Sequence, residues 1–353
     1  MNEDFLREFR TLKRFFIVFG TASFLVLILT VVSPVIHVLV MLYAGVLFAV
    51  FLTGLARAAE KKFNFPYRVA LGLVLVSLIL ISLLYGWFMG NQVIKEFSEI
   101  QSKVPRAGES VRELLKQRGW GKSLLSISNE TSKLWSLGSG LVGDLTGFFS
   151  ETVGIAVSLA FVLVTGIYLS INPWLYMDGV LKLFPINHRP EVNDVLNSVG
   201  LALRKWLIGR VVIMAGVGLL TTLGYLFAGI PGPLALGLLA GFLSFVPFLG
   251  PIIAVVPAAL VALIESPFLL IPVAIIFVVV HSVEGYLVTP LIQQRTVSLS
   301  PVVLLTSQVI IGTVLGIPGI IIATPLTITV IVIIQRTYIE DFLGDSVKVL
   351  GET

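Results

Sequence analysis

The chain has 353 residues, 56% of them hydrophobic and 12% charged, with a formal net charge of +4 and a mean hydropathy of +1.00. A soluble domain is nearer a quarter charged and has no interior large enough for so much apolar surface, so lipid is the solvent for much of this chain. The absence of cysteine excludes disulfides, thiolate metal sites and thiol catalysis; three scattered histidines argue against zinc, and no cofactor is implied.

The pattern predicts an all-α, polytopic membrane protein. A barrel would show segments alternating over about 10 residues, whereas this chain shows unbroken apolar runs. Residues 1–14 are charged and 15–32 apolar, as in a signal peptide. That run is long for such a segment and no small-residue cleavage site follows it, so an uncleaved first span is expected. Charge-free runs at 15–33, 35–55, 69–90, 153–171 and 211–228 have 18 to 22 residues each. That is enough to cross a core of about 30 Å. Ser33 and Pro34 turn the chain between the first two.

Residues 91–152 are polar, with eight basic and seven acidic side chains. Two helical stripes run through them: Val93, Phe97, Ile100 and Val104, then Leu134, Leu137, Leu141, Leu145 and Phe148. A small helical extracytoplasmic insert is expected. A third stripe, Val192, Val195, Val199, Leu203 and Trp206, predicts an amphipathic helix. It lies at the membrane surface or packs on the protein's own soluble face.

Two charge-free segments, 232–264 and 299–334, would each be about 50 Å long as straight helices. Both are interrupted, by Phe245-Val-Pro-Phe-Leu-Gly-Pro251 and by Gly316-Ile-Pro-Gly319. Arms this short predict re-entrant hairpins, with kinked single crossings as the alternative. Irregular backbone at membrane depth is tolerated against protein or a wet cavity, so either reading places the breaks in the interior. Between them, the span at 268–291 carries one acid, Glu284.

Basic residues cluster in alternate loops: Arg7, Arg10, Lys13 and Arg14, then Arg57, Lys61, Lys62 and Arg68, then Lys182, Arg189, Arg204, Lys205 and Arg210. The positive-inside rule puts these stretches, and both termini, in the cytoplasm. The expected organisation is three N-terminal membrane helices (1–90), the outer insert (91–152), a transport core (153–335) and a cytoplasmic tail (336–353). Basic residues so placed set topology, and no nucleic-acid partner is expected.

Glu284 is the leading candidate for chemistry. An ionised acid at the centre of a span costs about 2.5 to 3.5 kcal/mol on insertion, and such residues usually face a cavity and bind cations or protons. His281 stands three residues earlier on the same helical face. Tyr286 and Pro290 follow. The bland alternative is that Glu284 pins a broken helix. The tetrad Gly-Ile-Pro-Gly occurs at 229–232 and 316–319, each beside an interrupted segment. Paired Gly/Pro-interrupted segments point to a transporter site, although ordinary kinks between packed helices would also explain them. No HExxH, GxSxG or GxxxxGK[ST] motif is present, which argues against an enzyme.

Two blocks carry a family resemblance. The first is Arg204-Lys-Trp-Leu-Ile-Gly-Arg210, Gly229-Ile-Pro-Gly-Pro233, Phe245-Val-Pro-Phe-Leu-Gly-Pro251 and Pro257-Ala-Ala-Leu-Val-Ala262. The second is Glu284-Gly-Tyr-Leu-Val-Thr-Pro290, Val297-Ser-Leu-Ser-Pro301, Leu315-Gly-Ile-Pro-Gly319 and Pro325. Together they resemble the autoinducer-2 exporter family, the PerM-type permeases. The resemblance implies about eight membrane helices, a homo-oligomer and secondary transport, either export of signalling molecules or cation/proton antiport. Where the family often has an amide three residues before its glutamate, this chain has His281.

The expected function is therefore a secondary transporter of a small solute (a signalling molecule or metabolite) in the cytoplasmic membrane. Its partners would be membrane lipid, that solute or a cation, and further copies of the chain. Glu284 is the expected coupling or substrate group. His281, Tyr286, Pro247, Gly250, Pro251, Gly316, Pro318 and Gly319 are the expected surroundings. A sodium or other cation/proton antiporter, and a non-transporting scaffold for an envelope complex, are the alternatives. Single cysteines test the orientation in this cysteine-free chain: one at Ser110 labels from outside, and one at Lys61 only after permeabilisation.

Overall fold

The computed structural model describes residues 35–84, 86–87, 90, 95, 152–288, 299–345 and 350–351. The expected first span, the stripes at 93–104 and 134–148, and Pro290 lie outside the described residues. Every regular element among those described is helical: α1 (Val35–Phe63), α2 (Tyr67–Leu84), α3 (Thr152–Ile171), α4 (Pro173–Leu181), α5 (Arg189–Phe227), α6 (Pro233–Leu243), α7 (Leu249–Glu265), α8 (Leu270–Val283) and α9 (Pro301–Ile333). Wider π turns extend α8 through Glu284–Val288 and α9 through Ile334–Phe342. By length and composition five of these helices can cross a membrane, or six if α3 and α4 form one bent span.

Asn64, with φ 55°, turns the chain between α1 and α2; asparagine tolerates that left-handed conformation better than most residues. Leu52 and Ala56 of α1 then bury against Leu71 of α2. The third helix joins this hairpin at glycines. A Cβ on Gly45 would meet Thr165 at 2.9 Å, and one on Gly166 would meet Phe48 at 2.6 Å. Such close approach drives helix association where lipid removes the hydrophobic incentive. Pro173 cannot continue the hydrogen-bond ladder of α3, and α4 leaves at 87°.

α5 is one helix of 39 residues, about 58 Å long. The amphipathic stripe at 192–206 and the span at 211–228 are thus a single element. Of the two expectations for that stripe, the structure has it packed on the protein. Leu203 is buried with Leu47, Ile328 and Val332, and Val199 and Trp206 pack against the same cluster.

The chain then folds back repeatedly, and three of these reversals frame the site. Gly229 and Gly232, with φ of 68° and 67°, form the first reversal. The return helix α6 lies so close to α5 that a Cβ on Gly241 would meet the Met214 carbonyl at 2.7 Å and Gly218 Cα at 2.9 Å, while Gly237 abuts Thr222. The second reversal occupies 244–248 and turns on Phe248, with φ 63°. Beyond it α7 runs back along α6: Ala240 shares a cluster with Ala254, and Leu236 with Ala258 and Val261. These pairs stand nearly symmetrically about Pro247, as the arms of a helical hairpin must.

The third reversal is inside α9, where Gly316 takes φ 66° and ψ −151°. Glycine adopts that conformation without strain. Gly312 packs on Ile320, and Gly319 on Ile311 and Leu315. At the open end, Leu299 packs on the cluster holding Ile328 and Val332. A straight helix would hold those residues more than about 40 Å apart. Both tetrads therefore sit at chain reversals. One expectation needs correcting. In the first turn Ser244 and Gly250 are buried, but Gly316, Ile317 and Pro318 are exposed on the single chain. The Gly316 reversal uses a single non-helical residue, so it leaves less irregular backbone to enclose.

The glycine contacts predict a contrast between two substitutions. Gly216→Ala meets nothing within 4 Å and should leave the melting temperature in detergent unchanged or raise it, given a propensity gain of about 1 kcal/mol. Gly241→Ala gains the same propensity but pushes on the backbone of α5, and should lower that temperature through overpacking worth about 1–3 kcal/mol.

Candidate functional site

The first hairpin's turn forms one wall of a cavity of about 420 Å³. α5 supplies Trp206 and Arg210, the start of α7 supplies Pro251, α8 with its π turn supplies His281 and Glu284, and α9 supplies Leu304 and Thr324. Arg210 reaches this place because it continues the buried stripe of α5: Val199, Leu203, Trp206 and Arg210 recur at spacings of 4, 3 and 4. It is only 8% exposed.

Arg210 donates from Nε to the Phe245 carbonyl at 3.0 Å. Its Nη1 lies 4.0 Å from Glu284 Oε1. The other carboxylate oxygen, Oε2, is 2.7 Å from His281 Nδ1. A proton therefore lies between imidazole and carboxyl, either donated by Nδ1–H or held by a protonated acid and donated to the ring. Phe277 packs edge-on to the imidazole with centroids 4.7 Å apart. The switch from α to π geometry falls at Glu284 itself; single π turns often occur at functional sites.

A second side chain holds the turn. Gln308, 1% exposed, donates from Nε2 to the Pro247 carbonyl at 2.9 Å. Both donors thus satisfy carbonyls that the break in the helix leaves without helical partners. Among the described residues, three buried side-chain polar atoms keep no partner: Arg210 Nη2, Gln308 Oε1 and Thr324 Oγ1. They offer a donor, an acceptor and a hydroxyl that can be either. Arg210 and Thr324 line the cavity directly, as Glu284 does. The arrangement can hold a small polar solute or a cation, and it can store a proton.

Of the expected site residues, Pro247, Pro251, His281 and Glu284 line this cavity. Gly250 does not; it lies against the Leu243 carbonyl and lets the return arm close on α6. Tyr286 points away, 82% exposed. Gly316, Pro318 and Gly319 are not on the cavity wall either. The second hairpin meets this region through Gln308 and Thr324, eight residues before and after Gly316, so its turn lies about 12 Å further along the arms.

Arg210, Gln308 and Thr324 were not singled out from the sequence. Arg210 falls with the basic loop by position, and its spacing from Trp206 is the signal that places it inside. Gln308 is the one amide side chain in the charge-free run 299–334, which could have marked it. Thr324 had no signal of its own.

Comparison with known proteins agrees with this architecture. Residues 15–339 match the family described as AI-2E family transporter. The chain is 25% identical to the provisionally named transport protein YueF of Bacillus subtilis (strain 168), over 86% of this chain and 83% of that protein. It is 26% identical to a provisionally named transport protein of Thermotoga maritima, over 86% and 91%. It is also 26% identical to the provisionally named transport protein sll0060 of Synechocystis, over 80% of each chain.

The hold on the first turn can be measured. Gln308→Leu removes the side-chain donor to the Pro247 carbonyl, which keeps only the Leu249 N–H, and should destabilise the protein by about 0.5–1.5 kcal/mol. Hydrogen exchange should rise at amides 244–250 and stay unchanged at the 229–232 loop.

Proposed function

From the premise that this chain belongs to the AI-2E transporter family, we propose that it is a secondary transporter carrying a small solute, a signalling molecule or metabolite, across the cytoplasmic membrane. Glu284 is its coupling or substrate-binding group. The observation that carries this reading is the row Arg210–Glu284–His281 on the wall of a cavity among apolar helices. A carboxylate placed between a guanidinium and an imidazole changes its hold on each when it gains a proton or cation. Protonation weakens the attraction to Arg210, and Arg210 also holds the turn through Phe245. Occupancy of Glu284 and the position of the turn are thereby linked, and such linkage couples a gradient to access.

In this reading the two hairpins, 233–265 and 301–333, are re-entrant and complete a plan of about eight membrane helices. The termini lie in the cytoplasm and 91–152 outside, following the basic loops. The chain works as a homo-oligomer, which would cover the exposed turn at Gly316. One observation favours a second reading, cation/proton antiport. The His281–Glu284 pair already shares a proton position at 2.7 Å, and a cation arriving at the carboxylate would displace that proton.

Flux into proteoliposomes under imposed proton and sodium gradients tests both readings. Glu284→Gln keeps the shape but loses the charge, so gradient-driven uptake should disappear while the melting temperature changes little. Normal gradient-dependent flux by this variant removes Glu284 from the mechanism. A protein that transports normally but melts much lower would assign the acid a structural role instead.

A further inference from the structure

A second cavity, of about 520 Å³, lies between α1, the bent pair α3–α4 and the first half of α5. We propose that it binds the phosphate headgroup of an anionic membrane lipid, with the acyl region lying along α1. Two arginines from different helices, Arg57 and Arg204, line it. Neither makes an ion pair among the described residues. Glu60 and Asp178 are close in sequence to the wall but do not line it. The arginines are held in place. A Cβ on Gly54 would meet Arg204 Cδ at 2.7 Å, so the glycine gives the arginine stem its bed. Arg57 lies over the Trp174 ring, 5.8 Å from its centroid.

The location fits a membrane boundary. With α3 crossing the bilayer, the 87° bend lays α4 in the plane of the interface. Trp174 and Tyr176, both exposed, then sit at the depth where aromatic side chains anchor membrane proteins. Basic pockets between membrane helices at that depth suit phosphate headgroups. The shape separates a lipid from a soluble phosphate. Val46 also lines the cavity, and it lies 11 residues before Arg57 on the same helix, about 16 Å deeper. The site is therefore cationic at one end and apolar along its length, and inorganic phosphate would leave the apolar part empty.

Native mass spectrometry of the full chain in mild detergent tests this, with phosphatidylglycerol, phosphatidylcholine and glycerol 3-phosphate as probes. Phosphatidylglycerol should be retained in preference to phosphatidylcholine, and glycerol 3-phosphate should not compete. Arg57→Gln should weaken phosphatidylglycerol about fivefold, and Arg57→Gln with Arg204→Gln about thirtyfold, from roughly one neutralised contact each. Arg57→Lys should retain most of the binding. Should the double variant fold poorly, the exposed Arg57 position still gives the answer alone. Arg68→Gln, at a basic residue outside the cavity, should leave affinity unchanged; an equal loss there would mean diffuse surface attraction and overturn the site. Equal retention of phosphatidylcholine, or full competition by glycerol 3-phosphate, would overturn it as well.

Discussion

A helix broken within a run of apolar sequence exposes carbonyls that lipid cannot satisfy, and the structure around α5 to α9 is arranged by that requirement. The turn at 244–248 receives donors from two directions, Arg210 for Phe245 and Gln308 for Pro247. Placing a guanidinium there brings a buried positive charge, and Glu284 stands 4.0 Å from it. The acid in turn engages His281. The hairpin, the ion pair and the cavity meet at this turn, where Arg210 serves both the break and the acid.

What holds the helices together is shape more than apolar bulk. The outward faces carry large side chains such as Leu83, Leu84 and Trp87, which lipid solvates as well as protein does. The fully buried positions are often small: Ala56, Ala202, Ala258, Ala262 and Ala323 have no exposed surface. Small residues let backbones approach, and dispersion between close backbones replaces the hydrophobic effect that water would supply. The glycines of α6 show this most directly, since a single added methyl group would collide with α5.

Much of the helical plan was legible because charge-free runs of span length and Gly/Pro interruptions are strong local signals. The reversal at Gly316 and the contact of His281 with Glu284 needed only local spacing to anticipate. The site was less legible. Arg210 follows a basic loop in the sequence, and only the helical period that continues from Trp206 puts it inside. Gln308 and Thr324 meet only once the chain folds back at Gly316, and no local pattern reports a contact across a reversal. The same folding explains why the tetrad at 316–319 marks a turn and yet stays off the cavity: the arms that follow the glycine, and not the glycine, reach Pro247.

The unbroken length of α5 has a mechanical consequence. Arg204 lines one cavity and Arg210 the other, and six residues of continuous helix join them, about 9 Å along the axis. A helix of this kind transmits translation and rotation with little loss over so short a distance. The two cations are therefore teeth on one rod: sliding or turning the rod at either chamber moves the tooth in the other by the same amount.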